Sequence, residues 1–128
     1  MRLIICTLAA LFMLSGLTLA ADLPSATEAS IRTALASGRP TVADFGARTC
    51  IPCKKMAPIL AELEREYKGK ANVLFTDVHE GKDLAAYYHI QMIPTQIFFD
   101  AKGKEVKRHI GFMAKADILK ELQAAGLK

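Results

Sequence analysis

Two cysteines, Cys50 and Cys53, stand two residues apart where a short apolar stretch gives way to a helical pattern. The start of a helix favours negative charge, because its first N–H groups are unpaired and the positive end of its dipole lies there. The pKa of the Cys50 thiol should therefore fall, which favours the nucleophilic thiolate. The first helical turn brings Cys53 beneath Cys50, close enough to attack a mixed disulfide formed there. The spacing predicts a redox pair with Cys50 as the attacking and Cys53 as the resolving thiol.

Other uses of such a pair find less support. A zinc site needs four ligands, and His79, His89 and His109 are scattered without ligand spacing. These histidines are expected to be surface or packing residues. Attachment of a c-type haem needs a histidine where Lys54 stands. A purely structural disulfide closing so short a loop would remove little unfolded-state entropy. A module that holds a soft ion such as Cu(I) between the two cysteines, with Met56 as an optional third ligand, stays open as an alternative of a different class, although the helical spacing of Met56 favours a core position. No other metal site is expected.

The first twenty residues have the composition of a secretory signal peptide. Arg2 precedes a run over residues 3–14 in which Thr7 is the one polar residue, and Ala20 is a small residue suited to cleavage. The run is shorter than the roughly 20 apolar residues of a membrane span. We therefore expect a signal at 1–20, a mature domain at 21–128, and a periplasmic or secreted location. An uncleaved signal, leaving the protein anchored in the membrane, is the alternative.

Cysteine number and charge narrow the function class further. Cys6 lies within the predicted signal, so the exported domain would keep only the closely spaced pair, unlike a disulfide-stapled scaffold. The net charge of +4 is spread thinly, with no basic run longer than Lys54-Lys55 or Lys107-Arg108. Nucleic-acid binding is therefore not expected. The length suits one domain with a single core.

The elements that must position the cysteines follow from the apolar periodicity and from the turn residues. A capping box of Ser25 and Glu28 predicts the start of a first helix, and Gly38 ends it. The remaining predicted elements are a strand at 41–45, a helix at 50–67, a strand at 72–78, a helix at 82–88, a hairpin of strands at 95–99 and 105–110, and a helix at 115–125. This order predicts an α/β domain with a parallel-plus-hairpin sheet between helices.

From Thr41 onward the chain resembles the thioredoxin family. The likeness lies in the sequence VADF before the cysteines, in C-I-P-C-K, in Pro58, in Ile93-Pro94-Thr95 before the hairpin, and in Gly111 before the last helix. The Cys-x-x-Cys pattern becomes far more specific when Ile-Pro-Thr follows at this distance. The resemblance implies a thioredoxin fold with a central four-stranded mixed sheet flanked by helices. Its N-terminus should be trimmed, because too few residues separate the predicted cleavage site from Ser25 for the family's first strand.

The resemblance also implies roles for residues around the pair. Pro94 matches the family's cis-proline, which lies against the cysteines and presents the backbone of Ile93 to a substrate strand. Asp44 matches a buried carboxylate that takes the proton of the resolving cysteine through water, and burial should raise its pKa into a useful range. The predicted substrate-binding residues are Ile51, Pro52, Ile93, Pro94, Thr95 and Gly111.

Three departures from the family pattern point to a specialised relative. Thr49 stands where thioredoxins usually carry a tryptophan, Gly46 replaces an aromatic residue, and Phe75 replaces the lysine that commonly neighbours the buried aspartate. Together with the short N-terminus, these changes favour an exported protein over a cytosolic housekeeping thioredoxin.

The dipeptide Ile51-Pro52 between the cysteines bears on the direction of the reaction. It carries no charge or donor that would stabilise the thiolate strongly, so a reductant is favoured over a disulfide oxidase or isomerase, which is the alternative. The centre is the Cys50–Cys53 disulfide itself, and no bound cofactor is expected. A reductase in an oxidising compartment needs an inner-membrane thiol electron donor. Its substrates would be disulfides of exported proteins, and we expect a monomer.

Overall fold

The computed structural model describes residues 21–128; the predicted signal peptide and Cys6 lie outside these residues. The elements, in chain order, are α1 Glu28–Leu35, β1 Thr41–Gly46, α2 Ile51–Glu66, β2 Asn72–Asp77, α3 Lys82–Tyr87, β3 Thr95–Phe99, β4 Glu105–Ile110 and α4 Lys115–Ala124. The order predicted from the sequence is confirmed, with bounds that agree closely except at the start of α1. No helix within 21–128 is long and apolar enough to cross a membrane.

The four strands form one mixed sheet in the order β2-β1-β3-β4. Strand β1 pairs parallel with β2 and antiparallel with β3, and β3 forms an antiparallel hairpin with β4. The hairpin turn is held by Asp100, whose Oδ1 accepts the backbone N–H groups of Lys102 at 2.9 Å and Lys104 at 3.0 Å. The predicted thioredoxin fold with a four-stranded mixed sheet is confirmed.

Helices cover both faces of the sheet, and the central strands β1 and β3 are buried on both sides. Because side chains alternate along a strand, the core divides into two layers. The layer beneath α2 and α4 includes Val42, Met56, Leu60, Leu63, Phe75, Phe98, Ile118 and Leu122. The layer on the α1 and α3 side includes Ile31, Ala43, Phe45, Ile97 and Phe99.

The first helix begins later than the sequence predicted. Its N-cap is Thr27, whose Oγ1 accepts the Ser30 N–H at 3.2 Å, while Ser30 Oγ accepts the Thr27 N–H at 2.8 Å. The predicted capping box of Ser25 and Glu28 is therefore wrong. Glu28 lies in the first turn and pairs instead with Arg32 one turn along.

Ser25 is unavailable as a cap because the sheet holds it. It forms an isolated parallel bridge with Phe75, and its Oγ accepts the Asp77 N–H at 2.9 Å. The next residue, Ala26, donates its N–H to the Phe75 carbonyl at 2.6 Å. Within the described residues, this one bridge is all that pairs with β2 on its outer side.

Candidate active site

Cys50 and Cys53 form a disulfide at the N-terminus of α2, with their Cα atoms 5.1 Å apart. Cys50 is the N-cap residue in an extended conformation, and its Sγ accepts the Cys53 N–H at 3.3 Å. Pro52 lies in the first turn, where the missing N–H removes no helical hydrogen bond. The sulfur of Cys50 therefore lies at the positive end of the helix dipole, where a thiolate is stabilised.

The two cysteines differ in their access to solvent. Cys50 is partly exposed, whereas Cys53 is 4 % exposed and lies beneath it. A disulfide on another protein can reach Cys50 but not Cys53. Cys53 can reach Cys50, as the bond between them shows. This asymmetry is what an attacking thiol and a resolving thiol require.

Gly46, at the end of β1, allows α2 to approach the sheet closely. A Cβ atom at this position would lie 3.2 Å from Cys53 Sγ and 3.4 Å from the Phe75 ring. The ring of Phe75 thus fills the space beside Cys53, and the Arg48 guanidinium lies 4.9 Å from the ring centroid. Arg48 also donates to the Leu23 carbonyl at 2.9 Å. The two departures at positions 46 and 75 are therefore complementary, because the smaller residue makes room for the larger one.

Asp44 is fully buried in β1, two residues before Gly46 and on the same strand face. Residues two apart on a strand lie about 6.6 to 6.8 Å from each other, so the carboxyl lies close to the contact between Gly46 and Cys53. Burial raises the pKa of Asp44 to about 6, against the lowering effect of a hydrogen bond from Gln96. Gln96 Nε2 donates to Oδ1 at 2.8 Å, while Oδ2 has no hydrogen-bond partner among residues 21–128. Asp44 can therefore bind and release a proton near neutral pH.

The loop before β3 contains the predicted substrate-binding residues of the Ile-Pro-Thr motif. The Ile93–Pro94 peptide bond is cis. The Thr95 hydroxyl donates to the Met92 carbonyl, and the Gly111 N–H donates to the Pro94 carbonyl at 2.8 Å. These hydrogen bonds bring Ile93, Pro94, Thr95 and Gly111 together. Because Thr95 is buried and its hydroxyl is engaged, its side chain supports the loop from within.

The sheet register carries this loop to the same end as the cysteines. Phe45, next to the end of β1, pairs with Thr95 at the start of β3, and Thr95 pairs in turn with Ile110 at the end of β4. The segments that follow β1, precede β3 and follow β4 therefore emerge together. They hold, respectively, the cysteines, the cis peptide bond and Gly111.

Exposed apolar side chains surround this end of the sheet. Ile51 is 71 % exposed, Met92 61 % and Phe112 46 %. Sequence reasoning singled out Ile51 but missed Met92 and Phe112. Their positions gave a usable signal, because Met92 directly precedes Ile93-Pro94 and Phe112 directly follows Gly111.

Two further polar residues near Asp44 also escaped sequence reasoning. Gln96 is fully buried, and His109, which was interpreted as a surface or packing residue, has its Nδ1 2.8 Å from Gln96 Oε1. A glutamine within the apolar strand TQIFF was the available signal, since a buried amide requires hydrogen-bond partners.

Residues 21–128 contain no group of three or more His, Cys, Asp or Glu residues placed to hold a metal ion. Met56, the third ligand of the copper alternative, is fully buried, and its Sδ accepts the Met113 N–H at 3.3 Å. The thioether of Met56 is thus engaged in the core.

Comparison with known proteins places the chain in a family. Residues 23–124 match the family model described as Thioredoxin. Thioredoxin from Staphylococcus aureus is 43 % identical over 79 residues, which cover 62 % of this chain and 75 % of that protein.

Solved structures agree on the fold. A point mutant of thioredoxin from Halobacterium salinarum NRC-1 superposes with a TM-score of 0.71 at 24 % identity, covering 80 % of this chain and 88 % of the other. For a chloroplastic thioredoxin z the TM-score is 0.69 at 28 % identity, covering 82 % and 95 % of the two chains. The chain therefore belongs to the thioredoxin family and is a thiol–disulfide oxidoreductase with Cys50 and Cys53 as its redox pair.

Proposed function

We propose that this oxidoreductase is a protein-disulfide reductase of the cell envelope that acts on exported proteins. The observation that carries the proposal is the pairing of a partly exposed Cys50 at a helix N-terminus with a buried Cys53 bonded to it. The apolar dipeptide between them supports the reducing direction.

The reaction follows from the positions of the two sulfurs. The Cys50 thiolate attacks one sulfur of a substrate disulfide, so that a bond to Cys50 forms, the substrate bond breaks, and the released thiolate takes a proton from water. Cys53 then loses its proton and attacks the Cys50 sulfur, so that the Cys50–Cys53 disulfide forms and the bond between Cys50 and the substrate breaks. The second substrate sulfur leaves as a thiolate, which takes up a proton. Two electrons and two protons pass to the substrate. A dithiol donor must then reduce the protein again.

Asp44 is proposed as the acceptor of the Cys53 proton, through an intervening water. Its position along β1 from the contact with Cys53, its unpartnered Oδ2 and its pKa of about 6 support this role. An ordinary carboxyl is a weaker base, because general-base catalysis is most effective when the pKa lies near the working pH.

The substrate surface is proposed to centre on the loop with the cis peptide bond. The half-buried Ile93 offers its backbone to an extended substrate segment, and Pro94 lies next to it. Ile51, Pro52 and Gly111 would border the segment on the other sides, and Met92 and Phe112 extend the apolar area. An exposed apolar patch of this kind marks a protein interaction site on a soluble domain.

The proposed direction rests on how weakly the Cys50 thiolate is stabilised. Potentials in this superfamily span about −270 mV to about −120 mV, and stronger stabilisation of the reduced form gives the oxidising end. Ile51 and Pro52 offer no charge or donor, and Arg48 lies over the Phe75 ring. We expect a potential closer to −270 mV than to −120 mV.

Export is proposed from residues 1–20, with Arg2, the apolar run and Ala20 as the elements of a signal peptide. An exported reductase would be recharged by an inner-membrane protein that carries a dithiol. Apocytochrome c thiols or other exported cysteine pairs are the proposed class of substrate. The domain is proposed to act as a monomer without a bound cofactor.

Insulin reduction in the presence of dithiothreitol, together with a redox potential, tests the proposal. The wild-type domain should turn over, Cys50→Ser should not, and the potential should lie below about −180 mV. A higher potential would support an oxidase or isomerase. Stoichiometric copper binding without turnover would support the soft-metal module. Cys53→Ser, expressed with residues 1–20 present, should trap exported proteins on Cys50, whereas trapping of cytosolic proteins alone would contradict the proposed location.

A further inference from the structure

A row of side chains crosses the sheet at the level of Asp44. Phe75 on β2 lies opposite Asp44 on β1, Asp44 lies opposite Gln96 on β3, and Gln96 lies opposite His109 on β4. Directly opposite residues in a sheet project from the same face. The row therefore leads from the buried centre of the sheet to its edge strand, where His109 is partly exposed.

The hydrogen bonds along the row all point toward Asp44. Gln96 Nε2 donates to Asp44 Oδ1 at 2.8 Å, and Gln96 Oε1 lies 2.8 Å from His109 Nδ1. An amide oxygen only accepts, so His109 Nδ1 carries the hydrogen. On the other side, Phe75 offers no polar group. Gln96 is thus the one side chain that donates to the carboxyl among residues 21–128.

We propose that Gln96 and His109 are positioning residues, which couple the buried Asp44 carboxyl to the protonation of His109 at the sheet edge. A donor to a carboxylate favours its charged form, and a donor that is itself polarised by a cationic imidazole favours it more. An imidazole ring can carry one or two protons, so the row links the carboxyl to a group whose charge can change. Protonation of His109 would therefore favour the ionised Asp44 that accepts the Cys53 proton.

Other charged groups near the row lie apart from this chain of hydrogen bonds. The elements packed around the row carry several titratable groups, among them Cys53 on α2, Asp77 on β2, Lys107 on β4 and Lys115 on α4. Lys107 is exposed, so its charge is screened by solvent. Lys115 is held by Glu62 and Glu66. Asp77 accepts the backbone N–H groups of Arg48 and His79. In the strand register, none of the four lies opposite Asp44 or Gln96.

The inference rests on the proposed role of Asp44, yet it can be tested without turnover. The test is an NMR titration of the ¹³C-labelled Asp44 carboxyl in the oxidised protein. Gln96→Leu removes the donor and should raise the Asp44 midpoint by about one pH unit, a tenfold change in proton affinity. His109→Gln keeps a donor but removes the titrating group, and should raise the midpoint by about half a unit, roughly threefold. The matched control is His79→Gln, which removes an exposed imidazole away from the row.

An unchanged Asp44 midpoint in His109→Gln, or an equal shift in His79→Gln, would overturn the proposal. His109→Gln keeps the proposal testable should Gln96→Leu fail to fold, because His109 lies on an edge strand and is partly exposed.

Turnover gives a second readout. The pH profile of insulin reduction should change in His109→Gln but not when the same substitution is added to Asp44→Asn. Equal effects in both backgrounds would mean that His109 acts independently of Asp44. Shifted midpoints with an unchanged profile would leave the coupling intact and contradict only the role of Asp44 as a base.

Discussion

The pKa values of two buried aspartates on neighbouring strands are shifted in opposite directions. Asp44 on β1 is fully buried, and Asp77 on β2 is 6 % exposed. Burial raises the pKa of Asp44 to about 6, since only one hydrogen bond, from the Gln96 amide, acts to lower it. Burial also acts to raise the pKa of Asp77, but backbone N–H groups of His79, Arg48 and Glu80 outweigh it and hold that pKa below its ordinary value.

The comparison shows that the number of donors decides what a buried carboxylate does. Asp77 fastens the chain that follows β1 to the chain that follows β2, through the N–H groups of Arg48 and His79. Asp44 keeps an oxygen without a partner among the described residues. One carboxylate therefore serves the fold, whereas the other is left free to exchange a proton beside the cysteines.

The largest expected effect comes from removing the sulfur of Cys50. Cys50→Ser should lower insulin reduction by at least about 10³-fold, since a serine hydroxyl is a far weaker nucleophile at neutral pH. Adding Asp44→Asn to Cys50→Ser should then change nothing further. The unfolding free energy of the single variant Cys50→Ser should shift little, because the lost disulfide closes a very short loop. Turnover within tenfold of wild type in Cys50→Ser would contradict the assignment of the attacking thiol.

Asp44→Asn alone should slow reduction at pH 7 by about 10-fold to 100-fold, because Cys53 loses its proton acceptor. The same substitution should stabilise the domain. The folded-state pKa of about 6 exceeds the ordinary aspartate value of 3.8, so the folded protein binds the extra proton and wild-type stability falls as pH rises through this window. The difference corresponds to about 3 kcal/mol above pH 6. The new amide N–H groups lack a partner, which should reduce the gain to about 0 to 2 kcal/mol.

Urea unfolding of the wild type and of Asp44→Asn at pH 4 and pH 8 measures this effect. The variant should gain stability relative to wild type between the two pH values. An equal difference at both would show that the Asp44 carboxyl does not change its charge in this range.

Asp77→Asn should destabilise the domain, whereas Asp44→Asn should stabilise it. It replaces a charged acceptor of backbone N–H groups with a neutral one, and should cost about 2 kcal/mol of unfolding free energy at pH 7. The loss should diminish as the pH falls, because the stabilisation from a lowered pKa is present above the unfolded-state value and disappears below the folded-state value. Urea unfolding measures it, with turnover per folded molecule as the control. A stabilised Asp77→Asn domain would remove the contrast between the two aspartates.

The smallest effect concerns the apolar surface beside the cysteines. Substituting both Met92 and Phe112 with serine should raise the KM for a protein disulfide about threefold to tenfold, since each loses apolar contact with the substrate. Stability should change little, because both side chains are largely exposed. Reduction of a small disulfide such as cystine serves as the control and should be unaffected. A stronger effect on cystine than on insulin would contradict a role in protein recognition.

Local patterns carried most of the fold prediction. The hairpin of β3 and β4 was predicted with its observed bounds, because both strands and the turn at Asp100 are encoded within sixteen consecutive residues. The start of α1 was missed because Ser25 is held by β2, some fifty residues further along the chain, and no local pattern shows that contact. Sequence reasoning fails here where a distant partner outcompetes a local cap.

The candidate site likewise contains residues that local patterns predict and residues that they do not. The redox pair of Cys50 and Cys53 was predicted from the spacing of the two cysteines and from the helix that begins between them. The link from Asp44 through Gln96 to His109 depends on the register of three strands, which places residues far apart in sequence directly opposite each other. Register becomes visible only once the sheet is assembled, so the sequence predicted His109 only as a surface or packing residue.

Alkylation of the reduced protein tests most directly whether Cys50 is the partly exposed attacking thiol and Cys53 the protected resolving thiol. Timed treatment with iodoacetamide at pH 7, followed by peptide mass spectrometry, gives the reaction rate of each cysteine separately. We predict that Cys50 reacts several-fold faster than free cysteine, while Cys53 stays unmodified. Equal reaction of the two thiols, or a Cys50 no faster than free cysteine, would contradict the account.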